Sequence, residues 1–212
     1  MATYQNGPLG GFSGKLGTVV GTTWRGQNVM RSLPEPSTKK FSAAQLLQQL
    51  RLKTIQEFLG PMKGLLCETF GSKTGKNPPY NNAMSYHMNE ALLQTEDGVA
   101  INYPKVLIAK GGLCAMEQAV LQNTAPQTFT LTWLDNSNQA LAYPNDLLIV
   151  VAYCPTFKQF EYFINTHQRS DTTCELVMPA AFEGFEVELW ATFYNETKQI
   201  AATSRYLGRV MV

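Results

Sequence analysis

From residue 99 to the C-terminus, apolar residues occur in short runs separated by turn-forming residues. Within residues 128–133 and 185–194, apolar and polar residues alternate, which is typical of antiparallel strands with one buried face. The runs predict strands at 99–109, 129–134, 147–153, 160–165, 173–178, 185–194 and 204–212. Short strands at this spacing predict an antiparallel β-sandwich over residues 99–212.

A helical pattern precedes the sandwich, in residues 34–98. The helix predicted between Ser42 and Phe70 carries an apolar stripe at Leu52, Ile55, Leu59, Met62 and Leu66. Because Gly60–Pro61 interrupts it, we expect a kink or two abutting helices there. A second helix is predicted at about 80–93, with His87 as a hydrogen-bonded residue on its apolar side. Residues 34–98 are therefore predicted to form a helical pair.

The N-terminal arm, residues 1–33, combines seven glycines in its first 26 positions with interspersed apolar residues. Residues 16–24 and 28–33 read as two strands joined by a turn at residues 25–27, so the arm is predicted to form a β-hairpin. An isolated hairpin is marginally stable in water, so the arm must pack on its own body or on a neighbouring subunit. The apolar contact candidates are Leu9, Phe12, Val19 and Trp24. The predicted fold class is α+β, mainly β.

Charge is scarce and unevenly divided. The chain carries 17 Lys and Arg against 16 Asp and Glu, a net charge of +1, which argues against a general nucleic-acid binder. Residues 1–76 hold ten basic and three acidic residues, whereas residues 77–212 hold seven and thirteen. Opposite net charges favour head-to-tail contact between copies. Five basic residues in or near the arm are interpreted as a solvated or interfacial face: Lys15, Arg25, Arg31, Lys39 and Lys40.

No motif for catalysis or cofactor binding is present. Residues 10–15 and 71–76 resemble a phosphate loop but fail its spacing. The two histidines lie 80 positions apart, without a nucleophile motif beside either. The four cysteines show no metal-ligand spacing and are expected to be reduced core thiols. We therefore expect no enzyme, cofactor or metal site.

The strand predicted at 185–194 carries two aromatic residues, Trp190 and Tyr194, on the face opposite its core side chains. Two alternatives stay open: an exposed aromatic strip that contacts carbohydrate or protein, and packing under the helical pair. Glu186 and Glu188 share that face and are interpreted as solvated. Trp133, in contrast, is predicted to lie in the core.

The N-terminus lacks the positive and apolar regions of a Sec signal peptide, and the apolar runs are too short to span a membrane. We therefore expect a protein that is cytoplasmic when synthesised. A final location in a virion, or in an assembly exported without a signal peptide, is compatible with this expectation.

Two resemblances add to this interpretation. The strand pattern of residues 128–212, with Thr130–Trp133 in its second strand and Glu186–Ala191 in its penultimate one, resembles a fibronectin type III or immunoglobulin-like module. Residues 14–26 and 29–32, together with the Tyr206–Val210 ending, resemble an uncharacterised family of about 200-residue proteins from Bacteroidetes bacteria. The first implies a sandwich fold, and the second implies no site residues.

Together these features predict a non-enzymatic structural protein that self-assembles, or docks into a larger particle, through its arm and its sandwich edges. The alternative is a sandwich module that binds carbohydrate or peptide on the face of Trp190 and Tyr194.

Overall fold

The computed structural model describes residues 2–4, 12–35, 40–71, 77–95 and 98–212. Two units are distinguished by their internal contacts, residues 1–42 and residues 43–212. The described part of the first unit contains only β-strands, and that of the second combines helices with antiparallel sheets. The fold class is α+β and mainly β, as predicted.

The first unit contains four short strands: β1 (Ala2–Tyr4), β2 (Gly14–Leu16), β3 (Val19–Trp24) and β4 (Gln27–Ser32). They form one antiparallel sheet in the order β1-β4-β3-β2. Arg25 and Gly26 connect β3 to β4 with φ values of 49° and 74°. Two consecutive positive φ values are the signature of a tight hairpin turn, so the predicted hairpin is confirmed. The strand predicted at residues 16–24 is observed as two strands, because a turn at Gly17 separates β2 from β3.

The second unit begins with three helices: α1 (Ala43–Leu59), α2 (Lys63–Thr69) and α3 (Pro79–Glu90). The helix is interrupted at Gly60–Pro61, so the predicted first helix consists of two abutting helices, α1 and α2. Four of the five predicted stripe residues are buried, but Leu52 is 42% exposed. The stripe prediction was wrong there because no residue between positions 43 and 54 is buried against the rest of the unit.

The sandwich consists of two antiparallel sheets. Its strands are β7 (Glu117–Ala125), β8 (Thr128–Leu134), β9 (Leu147–Cys154), β10 (Gln159–Gln168), β11 (Thr173–Val177), β12 (Glu186–Asn195), β13 (Ile200–Ala201) and β14 (Arg205–Met211). One sheet has the order β11-β8-β7, and the other has the order β10-β9-β12-β13, with β14 also paired to β12. The alternating side chains of β8, including Trp133, face the core between the sheets as predicted.

A second core lies on the other face of the larger sheet, where the helices cover it. Ile55, Phe58 and Leu59 of α1 belong to the same buried cluster as Val151 of β9 and Trp190 of β12. Both central strands are therefore buried on both faces, which explains the continuous apolar run of β9.

One strand prediction was wrong, and one long strand was missed. Only the start of the predicted strand 99–109 is β-structure: β6 (Gly98–Ile101) pairs with β5 (Leu92–Thr95) as a separate hairpin, and the chain then turns at Pro104. Strand β7 was missed because its outer positions are polar or exposed, so its alternation carries few apolar residues.

Candidate interaction site

The arm has very little core of its own. Among the arm residues whose burial the structure describes, only Gly21 and Val29 are buried. A sheet needs a hydrophobic face packed on something to be stable in water. The arm sheet therefore presents surface that a stable isolated domain would have covered.

Gly21 is required by close packing inside the arm. A Cβ atom at this position would lie 2.5 Å from the Phe12 ring and 2.6 Å from the Phe12 carbonyl oxygen. Phe12 is half-buried, so this contact candidate lies over β3 rather than fully in solvent. The glycine thus marks a close approach of another segment, which is one of the reasons for which glycine occurs inside strands.

Large apolar side chains remain exposed around the hairpin. Leu16 and Trp24 are each 53% exposed and Leu33 is 39% exposed, while Val19 is half-buried. The Arg25 guanidinium lies 4.6 Å from the centre of the Trp24 ring, a cation–π contact. Leu16 and Leu33 were not among the predicted site residues; their positions beside Val19 and at the end of β4 are the signal that identifies them.

The basic residues of the arm share one face with Trp24. Val20 pairs with Lys15 on one side and with Arg31 on the other, so these three side chains form a row across the sheet. Trp24 lies four positions after Val20 and points to the same face. Residues 1–34 contain no Asp or Glu to balance this charge. The result is a face that is apolar, aromatic and basic.

The other arm-side candidates are placed differently. Lys40 is exposed, beyond the end of the arm. Leu9 and Lys39 lie outside the described residues.

Trp190 is not exposed, so of the two alternatives for β12 the structure shows packing under the helices and not an exposed aromatic strip. Its side chain is fully buried, and its Nε1 donates a hydrogen bond to the Tyr103 carbonyl oxygen at 3.2 Å. Tyr194 is half-buried. Its burial is the main reason that the pKa of its phenol is raised, and the negative charges of Glu68 and Glu196 raise it further. The physical reason is that the helices cover this face of the sheet, the second of the two alternatives.

Glu188 is also buried, which corrects its interpretation as a solvated residue. It accepts a hydrogen bond from the Tyr206 hydroxyl and one from Arg209 Nε at 2.8 Å. Arg209 Nη1 also lies 3.0 Å from Glu186. Burial is the main cause that raises the pKa of Tyr206, and the hydrogen bond to Glu188 raises it further. These contacts fasten the edge strand β14 to β12 and give a structural role to the acidic pair.

A single family model matches nearly the whole chain. It is described as "Family of unknown function (DUF6266)" and covers residues 11–208. The chain belongs to this family. No curated protein is significantly similar in sequence to the chain.

Several solved structures are similar to part of this DUF6266 member. The fn3 domain of the human collagen alpha-1(XX) chain is 4% identical, with a TM-score of 0.36, and the match covers 48% of this chain and 86% of that one. The FN3 domain of human collagen XX is 13% identical, with a TM-score of 0.34 and coverages of 48% and 94%. The fn3 domain of human contactin 1 is 7% identical, with a TM-score of 0.33 and coverages of 48% and 76%.

The buried histidine of the DUF6266 chain has backbone partners on both ring nitrogens. His87 is fully buried as predicted, with Nδ1 2.8 Å from the Ala83 carbonyl oxygen and Nε2 accepting from the Leu107 amide at 3.2 Å. Burial lowers the pKa of His87. No group of three His, Cys, Asp or Glu side chains could hold a metal ion among these residues.

All four cysteines are free. Cys154 and Cys174 are core thiols as predicted, but Cys67 is exposed and Cys114 is half-buried. The core prediction was wrong for these two: Cys67 occupies an exposed position of α2, and the Cys114 thiol donates to the Gln139 side chain at 3.0 Å near the surface.

Within the residues that the structure describes, no helix has the length and apolar character needed to cross a membrane.

Proposed function

We propose that this protein is a non-enzymatic interaction protein that self-associates, with the arm as the contact element. The observation that carries the proposal is the near absence of buried side chains among the described residues of the arm, which exposes Leu16 on one face of its sheet and Trp24 on the other. Covering these side chains on a partner supplies the hydrophobic burial that the described arm sheet lacks by itself.

The second copy is the partner that the charge distribution favours. The arm face is basic, whereas residues 77–212 carry a net charge of −6, from seven basic and thirteen acidic residues. Copies arranged head to tail bring these opposite charges together, and parallel copies do not. A head-to-tail contact closes into a ring or continues as a filament, according to its rotation.

As the larger biological setting we propose a bacterial structural assembly, located in the cytoplasm, in a virion or in an exported filament. The alternative of a carbohydrate-binding strip on β12 loses its support, because Trp190 is buried.

Light scattering over a concentration series tests the proposal. The variant Leu16→Lys with Trp24→Ser should associate about tenfold or more weakly than the parent chain, because it removes the exposed apolar anchors of the arm. The matched control is Leu46→Lys with Leu93→Ser, which changes residues that are 52% and 49% exposed in the second unit. A parent chain that stays monomeric, or equal association of both variants, would contradict the proposal.

A further inference from the structure

A pocket of about 320 Å³ opens on the second unit where three elements meet. Glu57 and Phe58 of α1 line one side, residues 99–101 of β6 line another, and Tyr153 and Phe160 come from the β9–β10 hairpin. This volume lies within the range of small-ligand pockets, which are mostly apolar with a few polar groups. No single spacing in the sequence joins these residues, because they come from separate elements.

Strand β6 presents an unpaired edge to this pocket. Val99, Ala100 and Ile101 all line it, although successive side chains of a strand point to opposite faces. The pocket therefore borders the backbone of β6 and not only the side chains of one face. Strand β5 pairs with one edge of β6, and β6 pairs with no further strand in the described part of the chain. The N–H and C=O groups of its second edge belong to no strand ladder among these residues.

The floor of the pocket is aromatic and firmly packed. Phe58 and Tyr153 are 4% and 6% exposed, and their rings meet edge to face at 5.1 Å. The Phe160 ring lies 4.5 Å from that of Tyr153. Burial, and to a smaller extent the neighbouring Tyr103 and Cys154, raise the pKa of Tyr153 to about 12, so its phenol is uncharged at neutral pH. Such a floor favours a large apolar or aromatic ligand group.

We propose that the pocket binds an extended peptide, which pairs with β6 as a third strand and places one aromatic or large apolar side chain on the aromatic floor. The strand edge decides the ligand class, because an extended backbone supplies donors and acceptors at the spacing of a strand. A monosaccharide can stack on aromatic rings but has no such repeat. Glu57 and Lys158 bring opposite charges to the pocket, so net charge does not select the peptide.

An NMR titration of the labelled full-length chain tests this site independently of the arm. The probe is acetyl-Ala-Ala-Phe-Ala-Ala-amide, which should shift the amide signals of residues 99–101. Its affinity should exceed that of the all-alanine peptide by about tenfold, because only the phenylalanine buries an aromatic ring. The same peptide with the nitrogens of Phe and of the following Ala methylated keeps the ring but loses one backbone donor on each edge, and should bind about tenfold more weakly.

A pocket-filling variant supplies the protein control. Thr54 lines the pocket, so Thr54→Trp should abolish the shifts, whereas Gln48→Trp, at an exposed position of the same helix, should leave them unchanged. The proposal is overturned if up to about 5 mM phenylalanine peptide leaves residues 99–101 unshifted. It is also overturned if the methylated peptide binds equally well, or if glucose shifts these amides and the peptides do not.

Discussion

At the scale of single residues, a buried arginine organises one end of the sandwich. Arg169 is fully buried, with Nη2 3.0 Å from Asp146 Oδ2, and it also donates to the Asn136 side chain and to the Cys114 carbonyl oxygen. Its guanidinium lies 4.1 Å from the centre of the Phe193 ring. Its partners lie up to 55 positions from it in the sequence, so no spacing could have predicted the network.

Replacing Asp146 by alanine should destabilise the protein strongly. The change leaves the Arg169 charge buried without its carboxylate, which lowers the free energy of unfolding by about 3–5 kcal/mol. Urea denaturation measures the difference. Glu175→Ala, at an exposed position of β11, should leave the unfolding midpoint where it is. Equal midpoints for both variants would show that the ion pair contributes nothing.

His87 should make the stability sensitive to mild acid. Burial lowers its folded-state pKa below the ordinary histidine value of 6.5, so the unfolded chain binds the proton more readily. The contribution of His87 is therefore fully present above the unfolded pKa and is lost as the pH falls from there toward the folded pKa.

The free energy of unfolding, measured by urea denaturation between about pH 7.5 and pH 5.5, should fall less in His87→Gln than in the parent chain. Asn89→Gln, at an exposed position of the same helix, is the control and should keep the parent slope. If His87→Gln and the parent lose stability in parallel, His87 has no part in the acid response.

At the scale of elements, local signals predicted what local chemistry decides. The Gly60–Pro61 break and the Arg25–Gly26 turn followed from backbone preferences, and both are observed. The burial of both faces of β12 could not be predicted in this way. Alternation tells which residues share a face of a strand, but not whether a helix covers the opposite face. Trp190 was therefore left with two alternatives that only packing could decide.

The arm should tolerate no side chain at position 21. In Gly21→Ala, the new Cβ atom meets the backbone oxygen of Phe12 at 2.6 Å, so one of the two segments must move. We expect faster amide exchange and faster proteolysis in residues 12–32, with the second unit unaffected. Gly64→Ala, where a Cβ atom meets nothing within 4 Å, should behave like the parent. Equal proteolysis of both variants would mean that the Phe12 contact does not hold the arm together.

At the scale of the whole molecule, the division of charge gives the self-association an expected salt dependence. Exposed charges are screened beyond about 10 Å at 0.1 M salt, so association should be faster at about 20 mM than at about 500 mM salt. Lys15→Glu with Arg31→Glu reverses the basic row of the arm and should remove most of this difference, as should Lys39→Glu with Lys40→Glu. Stopped-flow scattering measures the rates, and rates independent of salt would refute the head-to-tail arrangement.

In the proposed self-association, the exposed apolar side chains of the arm are buried against another copy of the chain. Hydrogen–deuterium exchange of the unmodified chain, followed across a dilution series, tests it most directly. We expect the amides of residues 14–32 to lose protection on dilution, while those of the central strands β9 and β12 keep theirs. Arm amides that exchange at the same rate at every protein concentration would contradict the account.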